Sequence, residues 1–198
     1  MRKLLMIFGV LGLCLAMAGG AGATFILDTG PNPSTSYFYA LGSGQWLAGE
    51  FTTTQAWQVG AMQGYILGIN AGEVDVGIYT NQSGLPGTPL FTKPFQGNYT
   101  GLNYAWQGST GYAGNLAAGT YWIAFTVPTS SAFSGGMGYT PPPSPMSPEA
   151  YHLTSTGMWK NYELDLGARI EAVPVPGAIW LLGSGLLGLA GWRRFRKG

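Results

Sequence analysis

The stretch YELDLGARIEA, residues 162–172, decides the fold class of this 198-residue chain. Every second position is apolar, aromatic or small, and these positions are Tyr162, Leu164, Leu166, Ala168, Ile170 and Ala172. A period of two places successive side chains on opposite faces of a β-strand, whereas a helix would need a period near 3.6. The pattern therefore predicts a strand with one face in the core and the other in water.

Two further stretches alternate in the same way. Their apolar positions are Val74, Val76 and Ile78 in one stretch, and Tyr121, Ile123, Phe125 and Val127 in the other. Less regular strands are predicted over residues 45–51, 57–69, 90–95 and 99–106, and no helical period of useful length occurs between them. We therefore predict an all-β fold, an antiparallel β-sandwich or jelly roll, formed by a single domain over residues 24–172.

Two segments rich in turn residues separate these strands. Residues 81–89, NQSGLPGTP, predict a turn-rich loop, because Gly tolerates positive φ and Pro restricts φ. Residues 134–148 contain five prolines and three glycines, which predicts a long surface loop and excludes a central strand.

The N-terminal 23 residues have the composition of a secretory signal peptide. Arg2 and Lys3 precede an apolar run, and Ala21 and Ala23 form a small-x-small cleavage site before Thr24. This pattern predicts export through the Sec translocon. The single cysteine of the chain, Cys14, lies within this segment, so the mature protein is predicted to contain neither disulfides nor a thiol nucleophile.

The charges of the chain are unevenly distributed. Nine Lys and Arg face eight Asp and Glu, but six of the nine cations lie in the two terminal segments. The remaining domain keeps three cations against eight acids, a net charge of −5. Because phosphate binding requires clustered Lys and Arg, this balance argues against nucleic acid as a partner.

The C-terminal segment has the features of a membrane-spanning helix. Residues 178–192 include no charged side chain. Four cations follow in the last six positions, namely Arg193, Arg194, Arg196 and Lys197. Backbone polar groups in such a run are satisfied in lipid by helix formation, and the basic end is expected to stay cytoplasmic as a stop-transfer signal. The segment Val173, Pro174, Val175 and Pro176 lies before this predicted membrane helix.

In order, spacing and composition, residues 173–198 resemble the PEP-CTERM sorting signal of Gram-negative bacteria. Val173 to Pro176 stand where that family has its short proline motif, with Val175 where many members carry Glu. The glycine-rich helix 178–192 and the basic tail 193–198 match its remaining parts. The resemblance implies processing by an exosortase, a membrane cysteine transpeptidase, with transient residence in the inner membrane and delivery to the cell surface or extracellular matrix. The alternative interpretation is an ordinary C-terminal membrane anchor.

The domain itself resembles the choice-of-anchor β-rich domains that precede bacterial sorting signals. The resembling stretches are VGIYTN (76–81), SGLPG (83–87) and LAAGTYWI (116–123), which together cover part of the domain and consist of structural residues. The resemblance implies no catalytic residues.

Candidate catalytic and metal-binding residues are few in this sequence. His152 is the only histidine, no Gly-x-Ser-x-Gly elbow occurs in the domain, and a zinc site needs three or four N or S ligands. We expect His152 to be a surface or half-buried residue.

The acidic residues leave two further readings open. Glu73 with Asp75, and Glu163 with Asp165 and Glu171, share strand faces, a pattern that a glycosidase or a solvated strand face would both produce. Calcium could use Asp28, Glu73, Asp75 or Asp165, yet no Asp-x-Asp-x-Asp-Gly loop is present. The prediction is no catalytic residue, no cofactor and no metal.

The aromatic content suggests a different activity. Exposed and coplanar tryptophans could stack on sugar rings, and the candidates are Trp46, Trp57, Trp106 and Trp159. The alternative is that most aromatic residues fill a core poor in charge. We expect a non-catalytic structural or adhesive protein of the envelope or biofilm, with extracellular polysaccharide as a further candidate partner. The competing hypotheses are a carbohydrate-binding module and a glycan-active enzyme.

Overall fold

A computed structural model of the protein describes residues 24–31, 38–101, 103–138, 146–164 and 166–173. Residues 25–173 form one compact unit. Within the described ranges there are thirteen strands and no helix, which confirms the all-β prediction. The strands are β1 (Thr24–Asp28), β2 (Phe38–Gly42), β3 (Gln45–Thr53), β4 (Trp57–Asn70), β5 (Gly72–Gln82), β6 (Leu85–Gly97), β7 (Tyr104–Thr110), β8 (Asn115–Leu116), β9 (Gly119–Thr126), β10 (Ser134–Gly138), β11 (Glu149–Leu153), β12 (Met158–Asn161) and β13 (Ala168–Ala172).

The strands form two layers. In the first layer, the strands lie in the order β6, β5, β9, β3, β11, β12, and each neighbouring pair is antiparallel. In the second layer, the long strand β4 pairs with β7 and β8 and also with β13 and β10. β13 pairs in turn with β1, and β10 with β2. The layers are connected where β2 meets β3 at Gly42 and Gln45.

The main core lies between the two layers. Val74, Val76 and Ile78 of β5 are fully buried in it, as their alternation predicts. A Cβ atom added at Gly64 of β4 would lie 2.8 Å from the Phe125 ring of β9. This glycine therefore allows the backbone of one layer to approach the side chains of the other.

The prediction that β9 has a wet face is wrong. Ile123 and Phe125 lie in the main core as expected, but Trp122 and Ala124 on the opposite face are also 0% exposed. They belong to a second, smaller apolar cluster against which Tyr79, Leu85 and Trp159 pack. Local alternation did not indicate this burial, because the covering side chains come from β5, β6 and β12.

The prediction of a surface loop over residues 134–148 is also wrong at its start. Ser134–Gly138 form β10, a central strand paired with β2 on one edge and β4 on the other. Its glycines are tightly enclosed, since a Cβ at Gly135 would lie 2.1 Å from the Leu67 carbonyl oxygen. Glycine is a common turn residue, but in β10 it allows the backbones of neighbouring strands to approach closely within the sheet. Residues 139–145 lie outside the described ranges.

The stretch 162–172 keeps its predicted burial only in part. Leu164, Leu166, Ala168 and Ile170 are buried, but Tyr162 is 51% exposed and the strand β13 begins at Ala168. Before that point, the backbone N–H groups of Leu164 and Leu166 donate to the Glu149 carboxyl oxygens and not to a neighbouring strand.

Two other strand boundaries differ from the predictions. The turn-rich loop 81–89 is a tight hairpin, with β5 reaching Gln82 and β6 starting at Leu85. The strand predicted over residues 99–106 starts at Tyr104, and Tyr99 is 69% exposed. The first turn is therefore shorter than predicted, and the connection between β6 and β7 is longer.

Candidate functional site

Three aromatic side chains form a row across one face of the first layer. Trp46 lies directly opposite His152, and His152 lies directly opposite Trp159, so the three side chains project from the same face of β3, β11 and β12. The rings of Trp46 and His152 are stacked, with centroids 4.5 Å apart and planes at 12°. The His152 ring lies 5.2 Å from that of Trp159. The Trp46 indole N–H donates to the Val127 carbonyl oxygen at 3.1 Å.

His152 is therefore placed differently from its sequence-based expectation. It lies within a strand and is only 8% exposed, whereas a surface or half-buried residue was expected. Its neighbours are indole rings, and among the described residues its Nδ1 atom has no hydrogen-bond partner.

A row of small residues crosses the same face beside the aromatic row. Ala150, Ala48, Ala124 and Gly77 lie opposite one another on β11, β3, β9 and β5. Because these side chains are short, the larger Trp122, Tyr79, Leu85 and Trp159 pack over them and form the second apolar cluster. The first layer thus curls around a small core of its own.

A cleft of about 330 Å³ lies where the curled layer nearly closes. Its lining comes from the end of β5, the β5–β6 turn, the start of β6 and the start of β12. The lining residues are Gln82, Ser83, Leu85, Pro86, Met158 and Trp159. Leu85 and Trp159 also pack against the second apolar cluster, so the cleft borders that cluster.

The β5–β6 turn is held in one conformation by local hydrogen bonds. Ser83 and Gly84 have φ values of 55° and 76°, as expected for a two-residue type I′ hairpin turn. The Gly84 N–H donates to Asn81 Oδ1 at 2.9 Å, and the Asn81 amide donates to Glu50 of β3. Burial raises the pKa of the Glu50 carboxyl, and the hydrogen bond from Asn81 opposes that change.

Gln82, Ser83 and Met158 were not predicted as site residues, although Gln82 and Ser83 lie in the predicted turn-rich loop 81–89. A two-residue Ser-Gly turn between two extended segments is a hairpin signal that could have located Gln82 and Ser83. No local signal indicates that Met158 lies against this turn, because the contact depends on the curvature of the four strands that lie between β6 and β12 in the layer.

The four tryptophans proposed as an exposed platform are all half-buried. The planes of Trp46 and Trp159 are inclined at 51°, so this pair is not coplanar. Trp106 lies on the other layer, where the guanidinium group of Arg169 is 3.8 Å from its ring centroid and also contacts Asp28 at 3.0 Å.

Each acidic residue named from the sequence has a distinct environment. Asp75 is half-buried, and burial together with the charge of Glu73 raises the pKa of its carboxyl. Glu73 and Glu163 are exposed, Glu171 is half-buried on β13, and Asp165 lies outside the described residues. No group of three His, Cys, Asp or Glu in the described part of the chain is arranged to hold a metal ion.

Glu149 is the acidic residue most involved in the fold. It is 5% exposed, and its Oε2 and Oε1 atoms accept the Leu164 and Leu166 N–H groups at 2.7 Å each. Its backbone carbonyl oxygen accepts the Tyr162 N–H at 2.8 Å. This carboxylate therefore holds the segment that leads into β13.

The C-terminal candidate site begins where β13 ends. The Val173 N–H donates to the Gln58 carbonyl oxygen at 2.8 Å, immediately after the last residue of β13. Residues 172–197 match the family model of the PEP-CTERM protein-sorting motif. The C-terminal segment is a PEP-CTERM sorting signal.

The PEP-CTERM signal implies export, an exosortase as processing partner and membrane-associated sorting to the cell surface. Pro174, Val175, Pro176, the predicted helix 178–192 and the basic tail lie outside the described residues, as do Ala21 and Ala23 of the predicted cleavage site. Within the described ranges, no helix has the length and apolar character needed to cross a membrane. None of the curated proteins compared with the chain matches it significantly.

Proposed function

We propose that the exported domain is a non-catalytic structural or adhesive component of the envelope or biofilm matrix of a Gram-negative bacterium. The observation that carries this proposal is how the described part of the domain uses the buried side chains of Glu149 and His152. The Glu149 carboxyl oxygens accept hydrogen bonds from two backbone N–H groups, and the His152 ring is stacked against Trp46. Both groups serve packing, and their positions favour a rigid surface module over an enzyme.

The remaining acidic residues support the same conclusion. Asp28 is paired with Arg169, and Glu50 accepts a hydrogen bond from Asn81. Asp75 has a raised pKa, but its acidic neighbour Glu73 comes from the same strand. A glycosidase needs two carboxyl groups roughly 5–10 Å apart across a cleft, and none of the described residues that line the cleft beside Trp159 carries a carboxylate.

The experiment compares a deletion strain with strains that express the wild-type chain or a chain ending after Val173. We expect the deletion to weaken biofilm cohesion, the wild-type chain to restore it and the truncated chain to leave it weak, because the last form lacks its sorting signal. Unchanged cohesion in the deletion strain would contradict the proposal.

A second arm of the experiment addresses the enzyme hypothesis. The purified full chain is incubated with polysaccharide from the same strain, and newly formed reducing ends are measured. We expect none. Release of reducing ends that disappears in Glu73→Gln or Asp75→Asn would establish the enzyme in place of the structural role.

A second candidate function is carbohydrate binding, and the aromatic cleft beside Trp159 favours it. A non-catalytic module that holds a polysaccharide would also have an adhesive role, so this candidate is a specific form of the first.

A further inference from the structure

The cleft between β12 and the β5–β6 turn has the size of a small-ligand site. Its volume of about 330 Å³ is at the lower end of the roughly 300–1,000 Å³ typical of ligand pockets. The cleft is open to solvent at its rim, where Gln82 and Ser83 are exposed, and it is closed below by the second apolar cluster. These dimensions suit one or two rings of a small ligand.

The chemistry of the lining selects a neutral ligand with one apolar side. Leu85, Pro86, Met158 and Trp159 supply apolar surface, and Met158 is 58% exposed. Gln82 supplies an amide that can both donate and accept hydrogen bonds, and Ser83 supplies a hydroxyl group. The described residues that line the cleft include no charged side chain, so neither an anion nor a cation would gain an ion pair there.

The apolar cluster next to the cleft contains a buried donor without a partner among the described residues. Trp122 is 0% exposed, and its indole N–H has no acceptor among the described residues. Buried polar groups are hydrogen-bonded in the great majority of cases, so an unpaired one needs an explanation. Trp122 does not line the cleft, so its N–H lies out of reach of a ligand there unless Leu85 or Trp159 moves aside.

The rim of the cleft is pre-ordered. Ser83 is held at φ 55° within a tight turn, and the Asn81 side chain accepts the Gly84 N–H and links the turn to β3. This positive φ is the conformation that a type I′ turn requires. Little conformational freedom would therefore be lost at the rim on binding.

From these observations we infer that the cleft binds a neutral sugar ring of an extracellular polysaccharide. The C–H face of the sugar would lie on Trp159 and Met158, and its hydroxyl groups would bond to Gln82 and Ser83. The inference rests on the proposed adhesive function and assigns it a site and a class of ligand.

The test uses the full chain purified in a detergent without a sugar head group, such as lauryldimethylamine oxide. Glucose, galactose, N-acetylglucosamine and cellobiose are titrated separately, with glucuronic acid as a charged counterpart, and binding is measured by calorimetry and tryptophan fluorescence. We expect saturable binding of at least one neutral probe with a Kd of about 1 mM or tighter, and weaker binding of glucuronic acid.

Matched variants locate the binding site. Gln82→Ala removes an exposed amide at the rim, and its control is Gln96→Ala, an exposed glutamine at the far end of the same hairpin. Gln82→Ala should weaken binding at least threefold, as expected for one lost hydrogen bond, and Gln96→Ala should have no effect. Trp159→Phe should abolish the fluorescence change, and a melting curve verifies that each variant is folded.

Three outcomes would overturn the inference: no saturable binding of any probe, equal binding by Gln82→Ala and wild type, or an equal loss in Gln96→Ala. Self-association that depends on Met158 and competes with no sugar would instead identify the cleft as an interface between copies of the chain. Because biofilm cohesion is measured separately in cells, the cleft can fail this test while the structural role stands.

Discussion

Glu149 shows how much of this fold depends on a single carboxylate. Leu164 and Leu166 are both buried, and their N–H groups lie in a segment without strand partners. One acceptor with two oxygens satisfies both groups at 2.7 Å. Both oxygens of one carboxyl group accept from buried donors, so this residue is a strong determinant of how β13 is positioned.

We predict that Glu149→Ala lowers the free energy of unfolding by about 2–4 kcal/mol, because two buried donors lose their acceptor. Glu149→Gln should cost about half as much, since its amide retains one carbonyl oxygen. The measurement is urea unfolding followed by circular dichroism. Glu163→Ala, at an exposed acidic residue, is the control and should change stability by less than about 0.5 kcal/mol. Equal stability of Glu149→Ala and wild type would show that the carboxylate is dispensable.

Ser83 permits a second test at the scale of one residue. Asn tolerates positive φ better than Ser, and Asn-Gly is the preferred pair in type I′ turns. We predict that Ser83→Asn raises the free energy of unfolding by about 0.5 kcal/mol. The control is Ser43→Asn, because Ser43 and Gly44 form the other Ser-Gly hairpin turn and have no positive φ. A gain in both variants would mean that turn conformation is not the cause.

Among the elements, β10 departs furthest from its sequence pattern. A segment of Ser, Gly and Met that precedes a proline-rich run forms a strand between β2 and β4. Its glycines have no side chain to pack, but the neighbouring strands β2 and β4 come so close that a side chain would not fit. A Cβ at Gly136 would lie 2.1 Å from the Phe38 ring. The glycines are therefore required by the spacing of the sheet.

We predict that Gly135→Ala destabilises the domain by about 3 kcal/mol, at the upper end of overpacking costs. Its added methyl group would meet the Leu67 carbonyl oxygen, which is backbone and cannot rotate away. Gly44→Ala is the matched control, since a Cβ at that position has no atom within 4 Å. Thermal unfolding of both variants gives the comparison, and similar melting temperatures would refute the close-approach argument.

The edge strand β6 carries another element-scale feature. It pairs with β5 along one edge and stands at the end of the strand order in the described chain. Pro89 and Pro94 are both exposed on it, and a proline has no N–H to donate to an added strand. These prolines would protect the edge from pairing with another copy of the chain.

We predict that the double variant Pro89→Val, Pro94→Val aggregates at concentrations where wild type stays dispersed. The physical reason is that two N–H donors and two residues of high β-propensity are added to an open edge. Light scattering against protein concentration is the measurement. Thr92→Val, which adds β-propensity on the same strand without removing a proline, should scatter as wild type does.

At the scale of the whole molecule, the domain and the PEP-CTERM signal are directly adjacent. The family match begins at residue 172, which is also the last residue of β13. The hydrogen bond from the Val173 N–H to the Gln58 carbonyl oxygen holds the start of the sorting segment against β4 of the second layer. The proline motif follows Val173 directly in the sequence, so few residues separate it from the sheet.

We predict that the double variant Pro174→Ala, Pro176→Ala accumulates unprocessed in the inner membrane. Proline resists helix continuation, and its loss would let the apolar helix extend into the segment that an exosortase must reach. The measurement is the intact mass of the protein extracted from each cell fraction, with Pro89→Ala as the control. Surface-extracted wild-type protein that retains Trp180 to Gly198 in an exosortase-positive host would show that the tail is a plain anchor.

The sequence by itself determined the features that are written in neighbouring residues. The alternation of Val74, Val76 and Ile78 predicts a strand with one buried face, and the structure confirms this burial. Proline, apolar and basic residues in that order define the sorting signal without any folded context, since the membrane and a transpeptidase read a linear segment.

The tertiary structure alone decided the second apolar cluster, the central position of β10, the role of Glu149 and the cleft. Trp122 is buried because Leu85 and Trp159, far from it in sequence, close over it. Glu149 is needed because Leu164 and Leu166 leave the strand ladder. In each case the partner is distant along the chain and is brought close by the curvature of the sheet. A pattern of period two describes only the two faces of one strand, so it carries no record of what covers them.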